Sequence, residues 1–159
     1  MSKKIIAYFS ASGVTKKAAL KLAEFVGGDA FEIKPAVAYT DADLNWRDEN
    51  SRSSVEMKDP ASRPEISNKL SNMEEYDVIF LCFPIWWYIA PTIINTFLES
   101  YDLQGKRIIL CATSGGSGFG KTLEKLEDSC QGAIITEGKM LNGKVDKDEI
   151  NNWLKSLNI

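Results

Sequence analysis

One run constrains the fold more than any other: Val78-Ile79-Phe80-Leu81-Cys82-Phe83, preceded by Asp77 and followed by Pro84. Six apolar residues in succession leave no polar face, so a strand made of them needs cover on both sides. That is the environment of a central strand in a parallel sheet. Ile5-Ile6-Ala7-Tyr8-Phe9 and Arg107-Ile108-Ile109-Leu110-Cys111-Ala112-Thr113 have the same character. Two shorter runs complete the set. Ala30 to Lys34, ended by Pro35, puts Phe31 and Ile33 on one face, and Ala133 to Thr136 is the last strand.

Helical spacing fills the gaps between these runs. Thr15 to Val26 carries Ala18, Ala19, Leu22, Ala23 and Val26 on one side and stops at Gly27-Gly28. Ser67 to Met73 reads as a short helix. Pro91 suits the first position of a helix whose buried stripe is Ile93, Ile94, Phe97, Leu98 and Tyr101. Leu123, Leu126 and Cys130 mark another. Asp146 to Leu157 closes the chain, with a capping box from Asp146 to Glu149 and an apolar face of Ile150, Trp153, Leu154 and Leu157. Five strands alternating with helices predict an α/β fold with a doubly wound parallel sheet. The 159 residues form one domain, 1–159, on this reading. Residues 36–65 are an irregular, polar insertion with Pro60 and Pro64, where Thr40 to Asp43 starts a turn carrying Leu44 and Trp46. A segment this long without a pattern is often functional. Tyr39 and Trp46 either fold over a ligand or form a satellite cluster that pins the segment, and the pinning role is the simpler expectation.

Composition removes several chemistries. The chain has no histidine, so Ser-His and Cys-His hydrolase mechanisms are excluded. Its three cysteines are far apart, with no zinc or redox spacing, and Cys82 and Cys111 lie in apolar runs. A net charge of −3 gives no basic field for nucleic acid. No run reaches membrane-spanning length, and Met1 to Lys4 carries no secretory pattern, so a reducing cytoplasm is the expected home.

Doubly wound sheets bind ligands beyond the carboxyl ends of their strands, where the winding reverses. Three loops fall there. In Ser10-Ala11-Ser12-Gly13-Val14-Thr15, three hydroxyls and a glycine sit at a strand-to-helix corner, where free N–H groups and the helix dipole favour a phosphate. The modest alternative is that Ser12 only caps the helix. Pro84-Ile85-Trp86-Trp87-Tyr88 places three aromatic rings in a row, more than a loop can bury behind it, and such rings suit a flat ligand. Thr113-Ser114-Gly115-Gly116-Ser117-Gly118 is small enough for its backbone to approach a ligand closely. Gly115 to Thr122 also matches G-x-x-x-x-G-K-[ST], the phosphate loop of nucleoside-triphosphatases. Neither Asp77–Phe83 nor Ala133–Thr136 ends in an aspartate to hold Mg²⁺, however, and that reading leaves the other two loops idle. A receiver-type signalling domain needs an acidic cluster after the first strand, and Ser10-Ala11-Ser12 supplies none.

Tyr8 to Thr15 resembles the phosphate loop of flavodoxins, [ST]-x-[ST]-G-x-[ST], and the Pro-Ile-Trp-Trp and Thr-Ser-Gly-Gly-Ser-Gly loops strengthen the resemblance. It covers residues 1–35 and 66–159. The resemblance implies strand order 2-1-3-4-5 and FMN at the switch point. Ser10, Ser12, Gly13, Val14 and Thr15 would hold the phosphate. Pro84, Ile85, Trp86, Trp87 and Tyr88 would line the ring, and Thr113, Ser114, Gly115, Gly116, Ser117 and Gly118 would approach its pyrimidine edge. It further implies an electron carrier between a reductase and an acceptor protein. An NAD(P)H-dependent quinone or flavin reductase on the same fold, with 36–65 as a lid, is the alternative. The sequence departs from many flavodoxins in having no glycine between Pro84 and Pro91, which favours a two-electron role.

Overall fold

The computed structural model describes residues 3–159. At its centre β3 (Val78–Pro84) pairs in parallel with β1 (Lys4–Tyr8) on one side and β4 (Arg107–Thr113) on the other. The edges are β2 (Asp29–Glu32) and β5 (Ile134–Met140), giving the order β2-β1-β3-β4-β5 with every pair parallel. The register explains the doubly apolar runs. Ile5, Ile79 and Ile108 lie side by side, as do Ala7, Leu81 and Leu110, and all six belong to one core. The alternate rows, Ile6-Phe80-Ile109 and Tyr8-Cys82-Cys111, belong to a second core on the opposite face.

Helices cover each face. α1 (Val14–Val26) lays Ala18, Ala19, Leu22, Ala23 and Val26 on the second core, joined by Ile150 of α5 (Lys147–Ser156). Trp153 of α5 meets Phe80 edge-on at 5.7 Å, and Asp146 caps this helix by accepting from Glu149 N at 3.1 Å. α3 (Thr92–Glu99) and α4 (Thr122–Leu126) supply Ile93, Ile94, Phe97, Leu98 and Leu126 to the first core. Cys82 and Cys111 are free and fully buried neighbours; the adjacent Cys111 thiol, with burial, pushes the Cys82 thiol well up. Among the described residues no helix is long and apolar enough to cross a membrane.

Four local expectations need correction. Pro91 is the residue before α3 rather than its first. Ser67 to Met73 is not a helix: Ile66 bridges Pro35, and Asn68 clips the end of β2 by accepting from Lys34 N (3.1 Å) and donating to Glu32 O (2.8 Å). Only Met73–Glu75 coils, as one tight turn. These side chains prefer the strand's backbone to a helix of their own. β5 runs on past Thr136 to Met140, with its register shifting opposite Leu110 and Cys111. Finally, residues 36–65 contain a helix, α2 (Arg52–Lys58), capped by Ser51.

Candidate functional site

The carboxyl ends of β1, β3 and β4 meet on one rim. After β1, Ser10 Oγ accepts from Gly13 N at 3.0 Å, and Gly13 turns the chain into α1 with φ 96°. No side chain caps α1, so the modest role for Ser12 is not the one seen. The first intrahelical bond returns from Lys17 N to Gly13 O, leaving the preceding N–H groups for another acceptor. The space where a side chain on Gly13 would begin is open. Thr15 is buried, and its hydroxyl shares a 2.8 Å hydrogen bond with that of Thr113, the last residue of β4.

After β3, Pro84 ends the strand and Ile85 N donates to Thr113 O at 2.9 Å. One residue at the end of β4 therefore ties both other loops. Trp86 and Ile89 exchange two backbone hydrogen bonds across a tight hairpin, with Trp87 (φ 49°) and Tyr88 (φ 67°) between them. Positive φ at both central residues is the type I′ pattern that Asn and Gly normally occupy. An aromatic residue held there costs about 1–3 kcal/mol. The three rings divide. Trp86 packs edge-on against Phe9 (5.8 Å) and Tyr39 (5.6 Å), while Trp87 and Tyr88 are 44% and 69% exposed.

After β4, Ser114 N donates to Asn142 Oδ1 at 2.8 Å, and Ser114 Oγ donates to Ser117 O. Gly120 closes this loop against the hairpin. A Cβ there would sit 2.3 Å from Tyr88 O, and Lys121 N donates to the same oxygen at 3.3 Å. The hydroxyl of Thr122 is buried and spent on Phe119 O, so it is not free to hold a cation.

Between the hairpin and this loop lies a cleft of about 420 Å³. It brings together Ile85, Trp86, Trp87, Tyr88, Gly115, Gly116 and Ser117. Thr15, Thr113 and the corner from Ser10 to Val14 are not in its wall. Ser114 faces a neighbouring groove shared with Val14, and Gly118 is outside the cleft wall.

Leu44, Trp46 and Ser53 of the 36–65 segment also line the cleft; the sequence offered Trp46 as a residue that folds over a ligand, as the alternative to the pinning role, and gave no such part to Leu44 or Ser53. The two aromatic residues of that segment part company. Tyr39 pins it: the phenol donates to Glu56 Oε1 at 2.5 Å and Arg52 stacks on its ring at 3.8 Å. Burial and the bond to Glu56 push this phenol far above its ordinary pKa. Trp46 does not pin; it is 64% exposed and faces the cleft. No apolar period marks Leu44, Trp46 or Ser53. The available signal was the Arg52–Glu56 pair, four apart and 3.0 Å between charged atoms. Ser53 is buried, and its hydroxyl has no partner. Among the described residues no cluster of side chains suits a metal ion.

The chain resembles known flavoproteins along its whole length. A protein assigned as a flavoprotein from Bacteroides eggerthii DSM 20697 is 47% identical, covers 100% of this chain and 99% of its own, and superposes with a TM-score of 0.95. The Lactobacillus acidophilus NCFM flavoprotein solved with FMN shares the fold at 22% identity (TM-score 0.71; 96% of this chain and 99% of its own). The Fusobacterium nucleatum flavodoxin bound to flavin mononucleotide shares it at 12% (TM-score 0.57; 99% and 98%). No curated protein matches the chain. The family model described as Flavodoxin matches residues 3–157. With the strand order, the rim and these likenesses in agreement, the chain belongs to the flavodoxin family.

Proposed function

We propose that this protein binds FMN at the rim and transfers electrons between a reductase and an acceptor protein in the cytoplasm. The observation that carries the reading is the tie at Thr113, bonded to Thr15 at 2.8 Å and to Ile85 N at 2.9 Å, which fixes three loops of different chemistry around one position. The residues fit the cofactor in kind. In the corner of Ser10, Ser12, Gly13, Val14 and Thr15, the hydroxyls of Ser10 and Ser12 and the N–H groups of the first turn of α1 are offered to a phosphate, and the open space at Gly13 lets it approach. The helix end supplies the compensating field without an arginine. Pro84, Ile85, Trp86, Trp87 and Tyr88 offer faces and edges to a flat ring. Thr113, Ser114, Gly115, Gly116, Ser117 and Gly118 offer backbone groups to its pyrimidine edge.

Bound FMN supplies reversible acceptance of one or two electrons. The chain supplies the surroundings. Trp86 and its neighbours exclude water and disfavour added negative charge, which lowers the potential at which the fully reduced state forms. The exposed Trp87 and Tyr88 leave the site open to a partner's approach. The test is the visible spectrum of purified protein, followed by titration of apoprotein with FMN. A flavin spectrum with saturable uptake is expected; protein that stays colourless in excess FMN refutes the proposal.

One feature favours a second reading, a reductase that takes hydride from NAD(P)H. Leu44, Trp46 and Ser53 line the cleft together with the hairpin and the loop after β4, giving it the walls a substrate needs. Stopped-flow mixing of FMN-loaded protein with NADPH separates the two. Flavin bleaching selects the reductase, and no reaction until a reductase is added selects the carrier.

A further inference from the structure

Trp86 stands in the cleft wall, and its indole is packed from two directions. Phe9 and Tyr39 close a triangle with it: ring centroids lie 5.8 Å apart for Phe9–Trp86, 5.6 Å for Tyr39–Trp86 and 5.6 Å for Phe9–Tyr39, with planes inclined at 82°, 68° and 65°. Phe9, just after β1, is fully buried and cannot move without the core around it. Tyr39 belongs to the 36–65 segment and is held on two further sides. Arg52 stacks on its ring at 3.8 Å, and Glu56 accepts from its phenol at 2.5 Å. Arg52 in turn pairs with Glu56 through Nε at 3.0 Å and donates from Nη1 to Val37 O at 2.7 Å. Tyr39 is not itself in the cleft wall. The hairpin bonds fix the backbone of Trp86, but a side chain still changes rotamer wherever its neighbours leave room. Phe9 and Tyr39 take that room away.

Resting on the FMN reading above, we propose that Tyr39 is a positioning residue for the cofactor, acting through Trp86, whose indole it holds in the orientation that forms a wall against the flavin ring. The clamp of α2 on Tyr39 then serves the site as well as the segment. The physical effect is preorganisation. A wall already immobilised loses no rotamer freedom when the ligand arrives, whereas a loosened indole has to be ordered as the ligand binds. A side chain with a merely structural role lowers stability and leaves affinity alone.

The experiment titrates apoprotein of wild type and variants with FMN and with riboflavin. Tyr39→Leu removes the ring and is expected to raise both Kd values about five- to tenfold. Tyr39→Met, apolar and unbranched, does the same and serves if the leucine variant does not fold. Tyr39→Phe keeps a ring against Trp86 and stays within about twofold of wild type. Equal losses for the two ligands are expected because the wall faces the ring; a loss for FMN alone overturns the proposal. Dependence on Trp86 is read from a double-mutant cycle, in which Tyr39→Leu adds less than about twofold once Trp86→Leu is present. Asp146→Ala removes the cap of α5 on the other face of the sheet; it lowers Tm and keeps the wild-type Kd. Wild-type affinity in both ringless variants, or full multiplication of the two losses in the double variant, overturns the role of Tyr39 while the FMN reading stands. If wild type takes up neither ligand, the cofactor reading falls and this role with it.

Discussion

At the corner after β1 the left-handed residue is Gly13, with φ 96°; at the hairpin after β3 the left-handed residues are Trp87 and Tyr88, with φ 49° and 67°. Both turns stand on the same rim and both need positive φ. On the proposed FMN reading the corner brings backbone N–H groups to an anion, which suits the residue with no side chain in the way. On the same reading the hairpin presents ring surface, which accounts for aromatic residues standing where Asn-Gly would be relaxed. Strain is held by neighbours, and here the neighbours are visible: the Trp86–Ile89 bonds on one side and the contact of Gly120 with Tyr88 O on the other.

That contact gives the largest expected effect. Gly120→Ala places a Cβ against the Tyr88 carbonyl on a residue with φ 56°. Unfolding in urea should show a loss of about 2–5 kcal/mol, with FMN affinity falling as the hairpin shifts. An unchanged midpoint would mean the hairpin is not braced there. Next come the two tryptophans. Trp86→Ala removes a ring packed on Phe9 and Tyr39 and should cost about 2–4 kcal/mol. Trp87→Ala, at a 44% exposed position, should change stability by no more than about 0.5 kcal/mol while weakening FMN binding. Equal losses of stability would erase the division between packed and presented rings.

The sharpest comparison is a pair of smaller changes with opposite signs. Gly13→Ala puts a Cβ on a left-handed residue and should destabilise by about 1–2 kcal/mol. Trp87→Gly relieves the same conformation and should raise apoprotein stability by up to about 1 kcal/mol, again with weaker FMN binding. If both changes destabilise equally, the hairpin stores no strain.

The smallest effect concerns the pinned segment. The folded-state pKa of Tyr39 is raised, by burial first and then by the bond to Glu56. Its contribution is therefore complete below about pH 10, where the unfolded phenol still holds its proton, and declines as pH rises above that value. Tyr39→Phe should flatten the fall in stability above pH 10, measured by denaturant midpoints. The buried Tyr8 and Tyr76 and the half-buried Tyr101, also raised first by burial, leave part of the slope in place.

The same comparison explains what could be read from the chain alone. Strands β1, β3 and β4 and helices α1, α3 and α5 were legible because two-sided or one-sided burial leaves a period in the sequence. The three loops were legible by position, each following one of those strands. α2 was not. Its Arg-Ser-Ser-Val-Glu-Met-Lys has no apolar stripe and is held by the Ser51 cap, the Arg52–Glu56 pair and Arg52 on Tyr39. Those are tertiary or capping terms that periodicity does not register. Leu44 and Ser53 were hidden for the same reason. The reading of Ser67 to Met73 as a helix failed in the reverse sense, because the polar side chains of Ser67 and Asn68 went to the backbone at the end of β2.

The Thr15–Thr113 bond joins residues 98 apart in the chain. No fragment that lacks either half can assemble the grip, and a local opening at one half dissolves it for the other. A cofactor seated there therefore acts as a clasp on the whole sheet. At a hundred times its dissociation constant it would add about 2.7 kcal/mol against global unfolding, so colour retained on heating would report the integrity of the entire molecule.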